Sequence, residues 1–181
     1  VTGITHDSRQ IRPGDLYAAL PGFNTHGANF SQSAVDGGAV AILTDDVGLE
    51  QAAASGVPVV LSLDPRARVG ACADTIYEHP SRDLIVVGIT GTNGKTTTSY
   101  LLDSAFRSAG YTTGVIGTVG TRIGDDFIAT TRTTPEATDV HALLALMREA
   151  GVRAVSMEVS THALRLGRVD AVQFAAVCFT N

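Results

Sequence analysis

The stretch Gly91-Thr92-Asn93-Gly94-Lys95-Thr96-Thr97 is the most informative part of this 181-residue sequence, because it combines glycines with a lysine and hydroxyl side chains. The apolar residues 84–89 before it predict a buried strand, and the apolar stripe after it predicts a helix that ends at Gly110. A loop between a strand and a helix can turn its N–H groups inward and bind anions. The stretch therefore predicts a phosphate-binding loop.

Two residues of this loop carry specific chemistry. Lys95 supplies a mobile positive charge for the terminal phosphates of a nucleotide, and the Thr96 hydroxyl is placed to bind Mg²⁺. Lys95 is also the only lysine among 13 basic residues. The standard spacing would put a glycine at Ile89, which indicates a variant subgroup of P-loop proteins. A glycine-rich surface turn with a solvated lysine is the alternative interpretation.

A carboxylate at the end of another predicted strand, residues 152–159, supports the phosphate loop. In P-loop folds, a carboxylate at the end of a neighbouring strand approaches the metal ion from the opposite side. Glu158 is therefore predicted to bind Mg²⁺ together with Thr96. The alternative is a solvated glutamate, or one that caps the short helix predicted from Thr161.

The chain is predicted to be α/β and to contain two domains. Residues 1–82 would form an N-terminal mixed α/β domain, and residues 83–181 would form part of a mostly parallel P-loop domain, since strands and helices alternate there. The helix of residues 29–37 is expected to be capped by Asn29, and residues 121–130 to form a hairpin. The chain starts at Val1 and stops after the strand predicted at residues 172–179, so we expect it to be part of a longer protein.

The composition excludes several classes of protein. Hydrophobic residues make up 44% of the chain and charged residues 17%, which is typical of a folded domain rather than of a disordered tail. A net charge of −5 without a basic stripe argues against nucleic acid as the main partner. No apolar run is long enough to insert into a membrane. Cys72 and Cys178 stand among apolar residues, which predicts buried thiols and a cytoplasmic location. His141 is expected at the surface of the protein.

Several motifs, in order along nearly the whole chain, resemble the Mur ligase family. Residues 90–97 are similar to its ATP loop. Thr133-Thr134-Pro135-Glu136 and Met157-Glu158-Val159-Ser160-Thr161-His162-Ala163-Leu164 resemble the members that form the tripeptide precursor. Asp7-Ser8-Arg9 and residues 14–20 resemble the N-terminal uridine-nucleotide domain of those members.

The resemblance implies three domains, of which this chain would contain the first and about half of the second. It implies an ATP- and Mg²⁺-dependent ligase of peptidoglycan precursor synthesis. Such an enzyme phosphorylates the D-Glu carboxylate of UDP-MurNAc-L-Ala-D-Glu, and a diamino acid (meso-diaminopimelate or L-lysine) then attacks the acyl phosphate. The C-terminal amino-acid domain would be absent, so this chain alone is expected to be inactive. We expect a monomer.

The resemblance also implies roles for single residues. Lys95 would hold the transferred phosphate, Thr96 and Glu158 would bind Mg²⁺, and Ser8 would contact the uridine end. The remaining residues implied in binding the nucleotide or the UDP-MurNAc-dipeptide are Gly91, Thr92, Asn93, Gly94, Thr97, Asn24, Thr25, Thr133, Thr134, Ser160 and Arg168. Turn and cap chemistry before Pro135 explains either threonine of the Thr133-Thr134 pair equally well.

Two other functions stay open at this point. One is a different ligase of the same superfamily, such as a folylpolyglutamate synthetase, which the segment Asp7-Ser8-Arg9 and the segment at Thr133 disfavour. The other is a P-loop nucleotide-binding module without ligase activity. The residues that would select the diamino acid or hold a second metal ion are expected beyond Asn181.

Overall fold

The computed structural model describes residues 1–130 and 132–181. It consists of two compact units, Val1–Tyr77 and Glu78–Asn181, and each has its own sheet. The predicted domain boundary after residue 82 falls at the end of a short 3-10 turn, Pro80–Arg82, of the second unit.

The first unit is built on a parallel four-stranded sheet in the order β1-β2-β3-β4. The strands are β1 (Gly3–Thr5), β2 (Asp15–Ala18), β3 (Ala41–Thr44) and β4 (Val59–Leu61), and the helices are α1 (Ser31–Asp36), α2 (Leu49–Ala54) and α3 (Pro65–Ile76). The core contains Tyr17 and Ile42 among small alanine side chains. Helix α3 begins at Pro65, because the Asp64 side chain accepts a hydrogen bond from the Ala67 N–H and proline is favourable at the first helical position.

One boundary in the first unit differs from the expectation. Helix α1 starts at Ser31 and not at Asn29, because a 3-10 turn, Gly27–Phe30, precedes it. The cap of that turn is His26, whose ring accepts the Ala28 N–H at 3.1 Å.

The second unit contains a six-stranded sheet in the order β10-β5-β9-β6-β7-β8. Its strands are β5 (Ile85–Thr90), β6 (Thr113–Ile116), β7 (Thr121–Ile123), β8 (Asp126–Ile128), β9 (Ala154–Glu158) and β10 (Ala176–Phe179), and its helices are α4 (Lys95–Ser108), α5 (Ala137–Glu149) and α6 (Thr161–Arg165). Strands β10, β5, β9 and β6 are parallel, which confirms the predicted α/β class, and β7 and β8 form the predicted hairpin.

The core of the second unit explains how the carboxyl edge of this sheet is fixed. Val86, Ile116, Leu144, Met147 and Met157 are fully buried in one apolar cluster between the sheet and α5. Because β5, β6, β9 and β10 run in the same direction, their carboxyl ends meet at one edge, where α/β proteins place their ligands.

The burial of Cys72, Cys178 and His141 differs from the expectation based on the sequence. The prediction of two buried thiols is wrong, since Cys72 is only partly buried and Cys178 is exposed on β10, which is an edge strand of the sheet formed by the described residues. His141, expected at the surface, is fully buried, and its Nε2 atom lies 3.0 Å from the Asp170 carbonyl oxygen. Within the described residues, no helix has both the length and the apolar character needed to cross a membrane.

Candidate active site

The loop between β5 and α4 has the backbone geometry that its glycines predict. Gly91 has a φ of +134° and Gly94 a φ of +83°, which are conformations that favour glycine over residues with a Cβ atom. Helix α4 begins at Lys95, directly after the loop, so that its N-terminal N–H groups face the same side as the turn. This arrangement suits an anion, because loop N–H groups and the helix dipole both favour negative charge.

The lysine side chain folds back over the loop. Lys95 Nζ donates hydrogen bonds to the carbonyl oxygens of Gly91 at 2.7 Å and Thr92 at 3.2 Å. The ammonium group is therefore held at the loop, where phosphate oxygens can replace the carbonyl oxygens as its acceptors.

Two residues that the sequence did not assign to the site also reach the loop. The Thr92 N–H donates to the Asn181 carbonyl oxygen at 2.6 Å, and the Asn93 N–H donates to Asn181 Oδ1 at 3.0 Å. The Thr180 hydroxyl lies 2.6 Å from the Asn93 carbonyl oxygen. The loop N–H groups thus converge on oxygen acceptors, as a phosphate-binding nest requires. A signal for these residues was available, because they directly follow a strand next to β5.

The predicted metal-binding pair is brought together at the end of β9. Glu158 is fully buried, not solvated, and the Thr96 hydroxyl donates to its Oε2 atom at 2.9 Å. Thr118, which sequence reasoning missed, donates its hydroxyl to the same oxygen at 3.0 Å and its N–H to Oε1 at 3.0 Å. A buried carboxylate needs such donors, because removing it from water is otherwise strongly unfavourable.

The same contacts show that Thr96 and Glu158 suit a Mg²⁺ ion. A hydroxyl has a single hydrogen, and Thr96 directs it to Glu158, so its lone pairs remain available to a cation. Mg²⁺ prefers oxygen ligands and is usually bound by one or two protein groups together with substrate phosphates. In the part of the chain that the structure describes, no group of three or more His, Cys, Asp or Glu side chains forms a metal site of its own.

The predicted substrate residues Thr134 and Ser160 take part in internal hydrogen bonds. The buried Thr134 hydroxyl donates to the Glu158 carbonyl oxygen at 2.9 Å and accepts the Ser160 N–H at 3.1 Å. The Ser160 side chain caps α6 by accepting the Ala163 N–H at 3.2 Å. Both side chains therefore stabilise the turn after β9.

Thr133 and Arg168 differ in their exposure. The Thr133 hydroxyl is partly exposed and lies 3.0 Å from the Thr118 hydroxyl. Arg168 is buried, and its guanidinium group contacts the Glu136 carboxylate at 2.7 Å and donates to the Thr134 carbonyl oxygen at 3.2 Å. Arg168 is thus paired with an acidic residue of this chain, whereas Thr133 stands at the surface of the site.

In the first unit, Ser8 begins a 3-10 turn that Asp7 caps. The Asp7 carboxylate accepts the Arg9 N–H at 3.0 Å and two guanidinium hydrogen bonds at 2.9 and 2.7 Å. These hydrogen bonds from Arg9 lower the pKa of Asp7 to about 2. A bidentate ion pair between Arg9 and Asp7 therefore stabilises the turn that contains Ser8.

The predicted nucleotide loop of the first unit is exposed at its tip and anchored at its base. Asn24 and Thr25 are both exposed. At the base, the buried Tyr17 hydroxyl donates to the Gly27 carbonyl oxygen at 2.9 Å, and His26 Nε2 lies 3.0 Å from Asp45. Burial raises the pKa of Tyr17 to about 12, so that this hydroxyl remains a donor at neutral pH.

Two protein-family models match the chain, one in each of its two structural units. Residues 89–181 match the model of the Mur ligase middle domain. Residues 1–77 match the model described as the Mur ligase family, catalytic domain.

Individual relatives agree with these matches. A UDP-N-acetylmuramoyl-L-alanyl-D-glutamate--2,6-diaminopimelate ligase of Streptomyces coelicolor is 61% identical over the whole chain, which covers 36% of that protein. A UDP-N-acetylmuramyl-tripeptide synthetase of Leifsonia xyli subsp. xyli is 48% identical, again over the whole chain and 35% of its own length. The chain thus spans about a third of the length of these relatives.

A solved structure is similar as well. A UDP-N-acetylmuramoyl-L-alanyl-D-glutamate--2,6-diaminopimelate ligase superimposes with a TM-score of 0.78 at 25% identity, over 99% of this chain and 36% of that one.

Proposed function

Because the chain belongs to the Mur ligase family, we propose that the protein of which it forms a part is an ATP-dependent ligase that adds a diamino acid to UDP-MurNAc-L-Ala-D-Glu. The observation that carries this proposal is the hydrogen bond from the Thr96 hydroxyl to the buried Glu158 carboxylate, beside the phosphate loop. The names of the relatives support diaminopimelate as the amino acid, and L-lysine is the alternative.

The two units take separate tasks in this proposal. Residues 1–82 bind the uridine end of the substrate through the turn at Ser8 and the loop that carries Asn24 and Thr25. Residues 83–181 bind ATP, with the loop N–H groups and Lys95 on its phosphates. We place the reaction in the cytoplasm, where ATP is available.

The residues of the second unit would act on the phosphoryl transfer. The D-Glu carboxylate oxygen bonds to the γ-phosphorus of ATP while the bond to ADP breaks, and Lys95 stabilises the negative charge on the transferred group. Thr96 and Glu158 would hold Mg²⁺, which neutralises charge on the phosphates. The amine of the diamino acid then attacks the acyl carbon, phosphate leaves with the bonding electron pair, and the nitrogen loses a proton.

Lys95→Ala in the full-length protein tests this proposal. We expect phosphate release in the presence of ATP, Mg²⁺, UDP-MurNAc-L-Ala-D-Glu and diaminopimelate to fall at least about 100-fold, because the charge on the transferring group loses its partner. Binding of the uridine substrate, measured by calorimetry, should weaken only moderately.

Two controls make this result specific. Arg153→Ala removes an exposed positive charge outside the site and should leave phosphate release unchanged. Replacing diaminopimelate by L-lysine identifies the amino acid. If the unchanged full-length protein releases no phosphate with either amino acid, the proposed function is wrong.

A further inference from the structure

The turn Gly117–Gly120, between β6 and β7, touches the site without being part of any of its recognised motifs. The turn is closed by two hydrogen bonds, from the Gly117 N–H to the Gly120 carbonyl oxygen and from the Gly120 N–H to the Gly117 carbonyl oxygen, both 3.1 Å long. Such a doubly bonded turn has little freedom, so it presents the side chain of Thr118 in a fixed direction.

The turn packs directly against the Glu158 carboxylate through Gly117 and Thr118. Thr118 gives the carboxylate two of its hydrogen bonds, one from the backbone and one from the side chain. A Cβ atom at Gly117 would lie closer to Glu158 Oε1 than van der Waals contact allows. A glycine is therefore required next to Thr118 for the carboxylate to reach both donors.

The positions of the hydroxyl hydrogens follow from these contacts. Thr118 has one hydroxyl hydrogen, and it donates that hydrogen to Glu158 Oε2. In its 3.0 Å contact with Thr133, the Thr118 oxygen must then accept, so that the Thr133 hydroxyl donates to Thr118. Thr133 consequently turns its lone pairs away from Thr118 and can accept a hydrogen bond from a ligand.

Building on the proposed function, we propose that Thr118 is a positioning residue that links the Mg²⁺-nucleotide at Glu158 to the peptide end of the uridine substrate at Thr133. Each ligand requires the same hydroxyl orientation, in which Thr133 donates to Thr118 and Thr118 donates to Glu158. The turn fixes the oxygen positions, but the hydroxyl hydrogens can still rotate, so the ligand that binds first holds them in the orientation that the second ligand needs, and the two bind cooperatively.

Calorimetry on the full-length protein tests this linkage. The dissociation constant of UDP-MurNAc-L-Ala-D-Glu is measured with and without saturating Mg²⁺ and a nonhydrolysable ATP analogue. We expect the nucleotide to tighten substrate binding about fivefold or more in the unchanged protein. The coupling ratio is the dissociation constant without nucleotide divided by the one with nucleotide. In Thr118→Val, which keeps the shape of the side chain but lacks the hydroxyl, this ratio should fall close to one.

Three further variants separate positioning from general damage. Thr118→Ser keeps the hydroxyl and should retain the ratio, and Thr112→Val, at an exposed threonine before β6, should not change it. Gly117→Ala keeps Thr118 but displaces Glu158, and it should raise the Mg²⁺ concentration needed for half-maximal nucleotide binding. Thermal unfolding of each variant identifies any that fail to fold.

The outcomes distinguish the linkage from the proposed function. If Thr118→Val folds and keeps the full ratio, or if Thr118→Ser loses it as Thr118→Val does, the linkage is overturned while the ligase proposal stands. If the unchanged protein binds neither the nucleotide nor the uridine substrate, both are overturned.

Discussion

The two units hold their candidate binding groups in contrasting environments. In the second unit, Glu158 is fully buried, and hydroxyl and N–H donors from two other segments fix its position. In the first unit, Asn24 and Thr25 stand exposed on a loop, where the Thr25 hydroxyl accepts a hydrogen bond from the Asn29 side-chain amide at 2.9 Å. The difference corresponds to the proposed tasks, because phosphoryl transfer depends on fixed geometry, whereas a nucleotide-sugar substrate can be bound by groups that adjust on contact.

Glu158→Gln tests the buried side of this comparison and should have the largest effect. Glutamine has the same size, but its NH₂ group cannot accept the hydrogens of Thr96 and Thr118, and the negative charge that attracts Mg²⁺ is lost. We expect phosphate release by the full-length protein to fall about 100- to 1000-fold.

The matched control is Glu149→Gln, at an exposed glutamate at the end of α5. It should leave phosphate release unchanged. Equal losses in both variants would contradict a specific role of Glu158.

Gly91→Ala tests whether the close packing of the phosphate loop matters, and its effect should be smaller. A Cβ atom there would collide with the Thr180 hydroxyl and the Asn181 backbone, and the φ of +134° is unfavourable for alanine. We expect nucleotide affinity to decrease about 10- to 100-fold, which corresponds to about 1.4 to 2.7 kcal/mol of strain.

Gly110→Ala provides the comparison for this variant. Gly110 also has a positive φ, of +86°, but a Cβ atom would meet nothing within 4 Å. It should lower the free energy of unfolding by about 1 kcal/mol without changing nucleotide affinity. If both variants lose affinity equally, backbone strain and not the contact with Thr180 is the cause.

The smallest effect is expected in the first unit, at the turn that presents Ser8. Because Arg9 lowers the pKa of Asp7 from 3.8 to about 2, the folded state favours the carboxylate. The resulting stabilisation is present above about pH 4 and is lost as the pH falls through 2. It should be small, since the Arg9 side chain is 86% exposed.

An NMR titration of the Asp7 carboxyl group measures this effect. In Arg9→Ala its midpoint should rise from about 2 towards 3.8, whereas Arg12→Ala, at an exposed arginine of the same unit, should leave it unchanged. A midpoint near 3.8 in the unchanged protein would mean that the ion pair does not persist in solution.

Features encoded in contiguous residues were predictable from the sequence. The strand, glycine loop and helix around Lys95 form as predicted, and Asp64 caps α3. The pairing of Thr96 with Glu158 was also predictable, because neighbouring strands in a parallel sheet bring their carboxyl ends together.

Features that depend on strand register were not predictable. Thr118 lies in a turn with no motif, and it reaches Glu158 only because β6 pairs with β9 so that Ile116 is opposite Met157. Strand β1 has three residues, too few to show a periodic pattern. His141 and Cys178 were misplaced because a single residue type does not reveal what covers it.

The strand order β10-β5-β9 also has a consequence for the order of folding. Thr90, at the start of the loop, pairs with Phe179, and the loop N–H groups at 92 and 93 bond to Asn181. Contacts between residues this far apart in the chain form slowly, since a long segment must first lose its freedom. On the ribosome, the phosphate loop therefore leaves the exit tunnel well before its partners do, and it is among the last parts of the second unit to be completed.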